Sequence, residues 1–404
     1  MMLINQKISL QGKTIPNRVV FQPMEGCDGT VDGNIGKLTE RRYMRFAESG
    51  AGIIWFEATA ICQNGRANSR QLYLTKENVG DYQKLVKNIK RRSAEEFGYE
   101  PLMILQATHS GRYSKPNGMP EPIVAYRNSV YEKGKESFPY HVITNAECAA
   151  LPDLYAKTAH LADEAGFDGV DVKCCHGYLL NEFLSAYERD GQYGGSFENR
   201  TRLYFDCLDA VRKSLPDDRI VTTRLSAYDG FSYPYGFGTS EDTEIDLTET
   251  KEILHSLREK EISLINITIG NPYLIPYVNR PYVGGPEDGE AGVARVVRIT
   301  KELQKEFPDL KLVLSALSFE GVNAVDFAEQ CLADSSCSLV GFGRMTFAYP
   351  TFYRDFLENG QLNEKKVCVK CGNCSKMMRA GGVAGCSVRD SDVYLPLYRK
   401  YMEK

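Results

Sequence analysis

Short apolar runs rich in Val, Ile and Leu recur along the first 345 or so residues. They fall at Val19–Gln22, Ile53–Phe56, Met103–Gln106, Gly169–Val172, Ile220–Leu225, Leu264–Ile267, Leu312–Leu314 and Leu339–Gly341. Such short apolar runs bounded by polar stretches read as strands. Between most of them lie stretches with apolar positions at helical spacing and charged outer faces: Leu38–Glu48, Asp81–Phe97, Pro152–Glu164, Asn199–Ser214, Thr248–Glu259, Val293–Glu306 and Gly321–Cys331. Strand alternating with helix predicts a parallel sheet. Eight strands in this order predict an α/β fold, a (β/α)8 TIM barrel whose site lies at the C-terminal ends of the strands. A doubly wound open sheet is the alternative. It is disfavoured because no G-x-G-x-x-G follows the first strand.

Two strand-to-helix connections are long, from Ala107 to Ala150 and from Gly270 to Ala291, and both are rich in Gly, Pro, Asn and Tyr. Long loops in a compact fold are commonly lids or binding loops. The chain has 404 residues, 43% of them hydrophobic, enough for one large barrel and an appendage. Net charge is −4, with the basic residues scattered, which argues against a nucleic-acid binder. Residues 1–18 hold no long apolar run after a basic start, and no stretch is long enough to cross a bilayer. With twelve cysteines, the chain reads as a cytoplasmic protein with reduced thiols.

The residues just after the predicted strands carry chemistry: Pro23-Met24, Glu57-Ala58, Gln106, Lys173 to His176, Arg224, Thr268, Ser315-Ala316 and Gly343-Arg344. In a barrel all of them converge on one rim. The most specific run is His176-Gly177-Tyr178-Leu179-Leu180-Asn181-Glu182-Phe183-Leu184-Ser185, continuing from Arg189-Asp190-Gly191 to Asn199-Arg200. It resembles the signature of the old yellow enzyme family of FMN-dependent ene reductases. Asn17-Arg18, His109-Ser110-Gly111-Arg112 and Gly341-Phe342-Gly343-Arg344 follow in the family's order, so the resemblance covers about residues 1 to 350. Gly270-Asn271-Pro272-Tyr273 and Asn279-Arg280-Pro281-Tyr282 are similar to the branch with a C-terminal iron–sulfur segment, which includes dienoyl-CoA reductases and trimethylamine dehydrogenases.

The resemblance implies roles by position. Gln106 would bond the flavin's pyrimidine edge, and Arg224 would stand near N1 and the C2 carbonyl, stabilising the anionic reduced flavin. Ser315, Ala316, Gly343 and Arg344 would hold the phosphate. Pro23, Met24 and Ala58 would pack around the ring system. His176 would bond the substrate's activating oxygen, and Tyr178 would protonate its α-carbon. Read without its flanking motif, His176 is better taken as a buried, hydrogen-bonded core residue. Three places depart from the family, one of them the end of the seventh strand, where Ser315-Ala316-Leu317-Ser318 stands in place of the Gly-Gly pair of many relatives. Lys173 replaces a histidine or tyrosine three residues before His176, and Glu25 replaces a small or hydroxyl residue that tunes the flavin. Lys173 could pair with an anionic substrate group, donate to an enolate oxygen, or reach the flavin. Cys27, Cys174 and Cys175 read as packing thiols.

Cys368, Cys371 and Cys374 are spaced C-x2-C-x2-C, and Cys386 follows eleven residues later. Three thiolates at that spacing plus a distant fourth suit a [4Fe–4S] cluster, whereas structural zinc favours two separated pairs. The expected division is a barrel over 1–362 and an iron–sulfur segment over 363–404. No dinucleotide fingerprint is visible, so a separate donor (a ferredoxin, a flavodoxin or a reductase subunit) is expected to feed electrons to the cluster. The expected activity is reduction of an α,β-unsaturated carbonyl compound. The alternatives are an amine dehydrogenase and a pure electron-transfer subunit. Oligomeric state, homo-oligomer included, is left open by the sequence.

Overall fold

The computed structural model describes residues 2–402. The eight predicted strands are all present: β1 (Val19–Phe21), β2 (Ile53–Ala60), β3 (Leu102–Thr108), β4 (Gly169–Val172), β5 (Ile220–Ser226), β6 (Leu264–Thr268), β7 (Lys311–Leu314) and β8 (Leu339–Phe342). They pair in parallel in chain order, and β8 closes on β1 to make a complete barrel. Full closure leaves no barrel strand with an open edge. Around it run α1 (Lys37–Ala47), α2 (Val79–Phe97), α3 (Asn145–Glu164), α4 (Phe197–Ser214), α5 (Thr248–Glu259), α6 (Gly289–Glu306), α7 (Ala324–Ala333) and α8 (Phe352–Asn359). No helix among the described residues is long and apolar enough to cross a membrane.

The barrel is a packed core. Val20, Trp55, Ile104, Ile220, Leu264, Val313 and Leu339 fill its lower half. A hairpin of Ile8–Leu10 paired with Lys13–Ile15 adds Ile8, Leu10 and Ile15 to that cluster and plugs the end away from the site. Its strands are too short to show in the hydrophobic pattern.

The helix expected to begin at Pro152 starts seven residues earlier, at Asn145. Thr144 caps it: its Oγ1 accepts from the Glu147 N–H at 3.2 Å, and the Glu147 carboxylate accepts from the Thr144 N–H at 2.8 Å. That reciprocal cap sets the start, and Pro152 sits inside the helix. Glu57-Ala58 lies within β2 rather than after it, where the register to β3 shifts between Phe56 and Ala58. The irregularity turns Glu57 to Arg42 of α1 at 2.8 Å while Ala58 stays on the cavity wall.

Candidate active site

A cavity opens at the C-terminal ends of the strands. Its lining contains every barrel position the sequence singles out for cofactor or substrate: Pro23, Met24, Glu25, Ala58, Gln106, Lys173, His176, Tyr178, Arg224, Ser315, Ala316, Gly343 and Arg344. Thr268 and Glu57 are not on the wall; Thr268 instead bonds His176, and Glu57 serves the Arg42 ion pair.

At the floor, Gln106 is fixed by a residue the sequence reading missed. Asp171 of β4 accepts from Gln106 Nε2 at 2.6 Å, Trp55 Nε1 at 2.8 Å and the Arg224 backbone N–H at 2.7 Å. Burial raises the Asp171 carboxyl to about 6, against the pull of those donors. With its amino group given to Asp171, Gln106 turns its carbonyl oxygen to the cavity, where an N–H of a heteroaromatic ring can bind. Arg224 is buried, and its Nε has no partner among the described residues. Arg224 lines the cavity, and none of its guanidinium N–H groups bonds a described residue, so the side chain can donate to an anionic or carbonyl acceptor there. Both features fit the pyrimidine edge of a flavin.

At the far wall, Ala316 takes a left-handed conformation (φ 73°), and Ser315 Oγ donates to the Ile267 carbonyl at 3.2 Å. A Cβ on Gly343 would meet Met24 Sδ at 3.0 Å, so glycine keeps that backbone accessible. Arg344 donates to the Pro281 carbonyl at 2.7 Å, an interaction that leaves its charge free for a phosphate. Arg280, unassigned in the sequence reading although its motif was noted, lines the same wall and donates to Ser375 Oγ at 3.2 Å.

The substrate side is built by consecutive left-handed residues, His176 (φ 67°) and Gly177 (φ 69°). They fold the chain back so that both His176 and Tyr178 face the cavity. A Cβ on Gly177 would stand 2.2 Å from Asn271 Nδ2, so only glycine fits there. The Gly177 N–H donates to Asn181 Oδ1 at 2.6 Å, and Glu182 accepts from Arg112 Nε at 2.6 Å; these bonds give the motif's Asn and Glu their structural purpose. His176 Nε2 is 3.2 Å from Thr268 Oγ1. Burial, reinforced by Arg224 and Lys173, holds the imidazole pKa well below its usual range, so it is neutral.

Tyr178 Oη is 2.8 Å from the hydroxyl of Tyr273, whose ring stacks on Tyr113 at 3.8 Å between centroids. Asn271 Nδ2 bonds the Tyr113 and Tyr131 hydroxyls at 3.0 and 3.1 Å, tying the two long loops together. The Lys173 ammonium lies 3.4 Å from the centre of the Tyr178 ring, and burial lowers its pKa to about 8. It makes no hydrogen bond or ion pair with any described residue; Glu25 acts on it only through space. Glu25 accepts from Asn68 Nδ2 at 2.9 Å, and desolvation raises its carboxyl. Cys27, Cys174 and Cys175 are buried, as packing thiols should be.

The C-terminal cysteine segment reaches this cavity through one of its four cysteines. Cys374 lines it together with Ser375 and Met378. Arg379 donates to the Pro272 carbonyl at 2.6 Å, and the Ala384 N–H donates to the Gly26 carbonyl at 2.7 Å. After burial, the nearby Cys374 and Cys386 raise the Cys368 thiol, and Cys374 and Cys371 raise Cys386, so the four share one electrostatic neighbourhood. Among the described residues no group of three or more Cys, His, Asp or Glu side chains is already arranged to grip a metal ion.

A closed parallel barrel with a polar, cation-rich cavity at its C-terminal rim defines a cofactor-dependent barrel enzyme. Residues 5–274 match the NADH:flavin oxidoreductase / NADH oxidase family, and the chain belongs to that family. It is an FMN-dependent oxidoreductase of the old yellow enzyme type. It is 26% identical over 387 residues to an NADH:flavin oxidoreductase of Gibberella zeae, covering 91% of this chain and 86% of that protein. To an NADPH dehydrogenase of Geobacillus sp. it is 32% identical over 281 residues, 68% of this chain and 75% of the relative. Its fold is shared with 2-naphthoyl-CoA reductase (TM-score 0.79, 19% identity, 99% of this chain and 58% of that one). It is also shared with histamine dehydrogenase from Rhizobium sp. 4-9 (TM-score 0.75, 16% identity, 95% and 52%). The chain thus spans little more than half the length of these two structures.

Proposed function

We propose that the chain is an FMN- and iron–sulfur-dependent ene reductase that saturates the C=C bond of an α,β-unsaturated carbonyl compound, an enone or an enoyl thioester. The observation that carries this reading is the convergence of the neutral His176, the Tyr178 hydroxyl and the unpaired Lys173 ammonium on one cavity wall. When bound, FMN supplies the hydride. The chain's own residues hold the substrate oxygen through His176, with Lys173 close by to stabilise negative charge developing on it. Tyr178 delivers the proton to the α-carbon. Gln106 and Arg224 hold the pyrimidine edge; Ser315, Ala316, Gly343 and Arg344 hold the phosphate.

The cysteine spacing, the place of Cys374 on the cavity wall and the N–H of Arg389 donating to Cys386 Sγ at 3.3 Å support a [4Fe–4S] cluster on Cys368, Cys371, Cys374 and Cys386. Electrons would then come through the cluster from a separate donor. The competing donor is a nicotinamide, named in the family and in its NADPH dehydrogenase relatives.

An amine dehydrogenase is the second reading, favoured by the Tyr113, Tyr178 and Tyr273 cluster and by the likeness to histamine dehydrogenase. Lys173 weighs against it. The face of Tyr178 already carries an internal cation where a substrate ammonium would bind. Anaerobic reduction with a low-potential dye, followed by mixing with enones, enoyl thioesters or amines, separates the readings. Rapid reoxidation of the flavin by an unsaturated carbonyl compound is expected. Reduction of the oxidised enzyme by amines, with no reaction toward enones or enoyl thioesters, would overturn the proposal.

A further inference from the structure

The cysteine segment passes from the cavity to the surface within three residues: Cys374 lines the cavity, and Cys371 is exposed. Around Cys371 the chain is strongly basic. Residues 363–402 hold eight lysines and arginines against three acidic residues, in a chain whose total charge is −4. Asp390, one of the three acids, is already taken by Arg41 and Arg45 of α1, at 2.6 and 2.5 Å.

Lys366 is paired with Asp355 at 2.9 Å, but other basic side chains of the segment have no carboxylate partner among the described residues. Arg379 and Arg389 give donors to the Pro272 and Val367 carbonyls, at 2.6 and 3.0 Å, and neutral oxygens do not cancel their charge. Lys365 and Lys376 are exposed, and no carboxylate of the described residues stands within ion-pair distance of either. Lys370, adjacent to Cys371, lies 4.7 Å over the Phe319 ring and has no ion pair with a carboxylate of the described residues. Two apolar side chains, Val369 and Val388, are also exposed in this segment, at 39% and 41%. A face with unpaired positive charge and small apolar contacts steers and orients a negatively charged macromolecule.

We propose that this face docks a small acidic one-electron carrier protein, with the electron entering beside Cys371 and leaving toward the cavity beside Cys374. The inference rests on the iron–sulfur reading above. Each encounter oxidises one carrier by one electron. Two encounters supply the two electrons needed to saturate one C=C bond, and solvent supplies the two protons, one of them through Tyr178.

Stopped-flow reduction of the holoenzyme by a chemically reduced, acidic bacterial ferredoxin tests it. At low ionic strength Lys365→Glu and Lys376→Glu are each expected to slow the bimolecular phase several-fold, and the double variant by about 10-fold or more. About 0.3 M salt should shrink the difference by screening. FMN content, iron content and the endpoint of dithionite reduction should stay at wild-type values. Wild-type rates in the double variant, or no salt dependence, overturn the docking face. That result with four irons per chain leaves the cluster standing. The full charge effect in a chain without iron upholds the face and sinks the cluster instead.

Discussion

The Lys173 ammonium nitrogen stands 3.4 Å from the centre of the Tyr178 ring, inside a cavity where it has no hydrogen-bond partner among the described residues. A cation held there favours the phenolate that Tyr178 becomes after giving up its proton. It also has a pH signature. The ordinary lysine value is 10.5, and burial brings this one to about 8. The charged form therefore prevails below that pH and is lost above it. With FMN reduction monitored separately, kcat/KM for the unsaturated substrate should fall as pH rises through about 8. Lys173→Met should lower kcat/KM and abolish that limb; a limb that persists in the variant would assign it to another group.

Tyr178→Phe should slow reoxidation of the reduced flavin by an unsaturated substrate by roughly 10²–10⁴-fold, the range for a positioned acid, while FMN binding is unchanged. Tyr273 touches the same hydroxyl at 2.8 Å. Tyr273→Phe should cost far less, about 10-fold or under, because one hydrogen bond to the acid is lost and the acid remains. Single-turnover stopped-flow measurements on both variants check the ordering; equal losses would assign the proton to Tyr273.

Arg224→Met should weaken FMN binding by about 10–100-fold, the equivalent of one charge-assisted hydrogen bond. It should also lower the flavin's reduction potential, since the cation beside the anionic reduced form is gone. Fluorescence titration of the apoprotein and dye-equilibrated potentiometry read the two effects independently. A higher potential in the variant would place Arg224 away from the pyrimidine edge.

Gly341→Ala should destabilise the fold by about 1–3 kcal/mol. The added methyl would stand 2.0 Å from Gln22 Nε2, which donates to Asn266 Oδ1 at 3.2 Å inside the barrel. The reciprocal bond from Asn266 to Gln22, at 2.8 Å, would be disturbed with it. Urea unfolding of variant and wild type measures the difference.

The succession of apolar runs and amphipathic helices determined the barrel, because buried parallel strands leave short continuous apolar runs in a chain and their covering helices leave a 3.6-residue period. The strand-end rule then placed Gln106, Arg224, Gly343 and Arg344 on one rim without coordinates. The motif from His176 to Ser185 was legible as a unit, and the tertiary structure supplied its reason. Two left-handed residues turn the chain, Asn181 holds the turn, and Glu182 anchors Arg112 from the long loop. Other features depend on groups far apart in sequence. Asp171 could not be recognised as the residue that orients Gln106, since an acid inside a strand is silent until the partner strand is placed beside it. Tyr273 meets Tyr178 across 95 residues, and Lys173 is unpaired among the described residues because packing brings none of their carboxylates within ion-pair distance. Local pattern determined which elements form and which side chains carry chemistry. Closure of the barrel decided which of them meet, because distances between groups on different strands are fixed by packing alone.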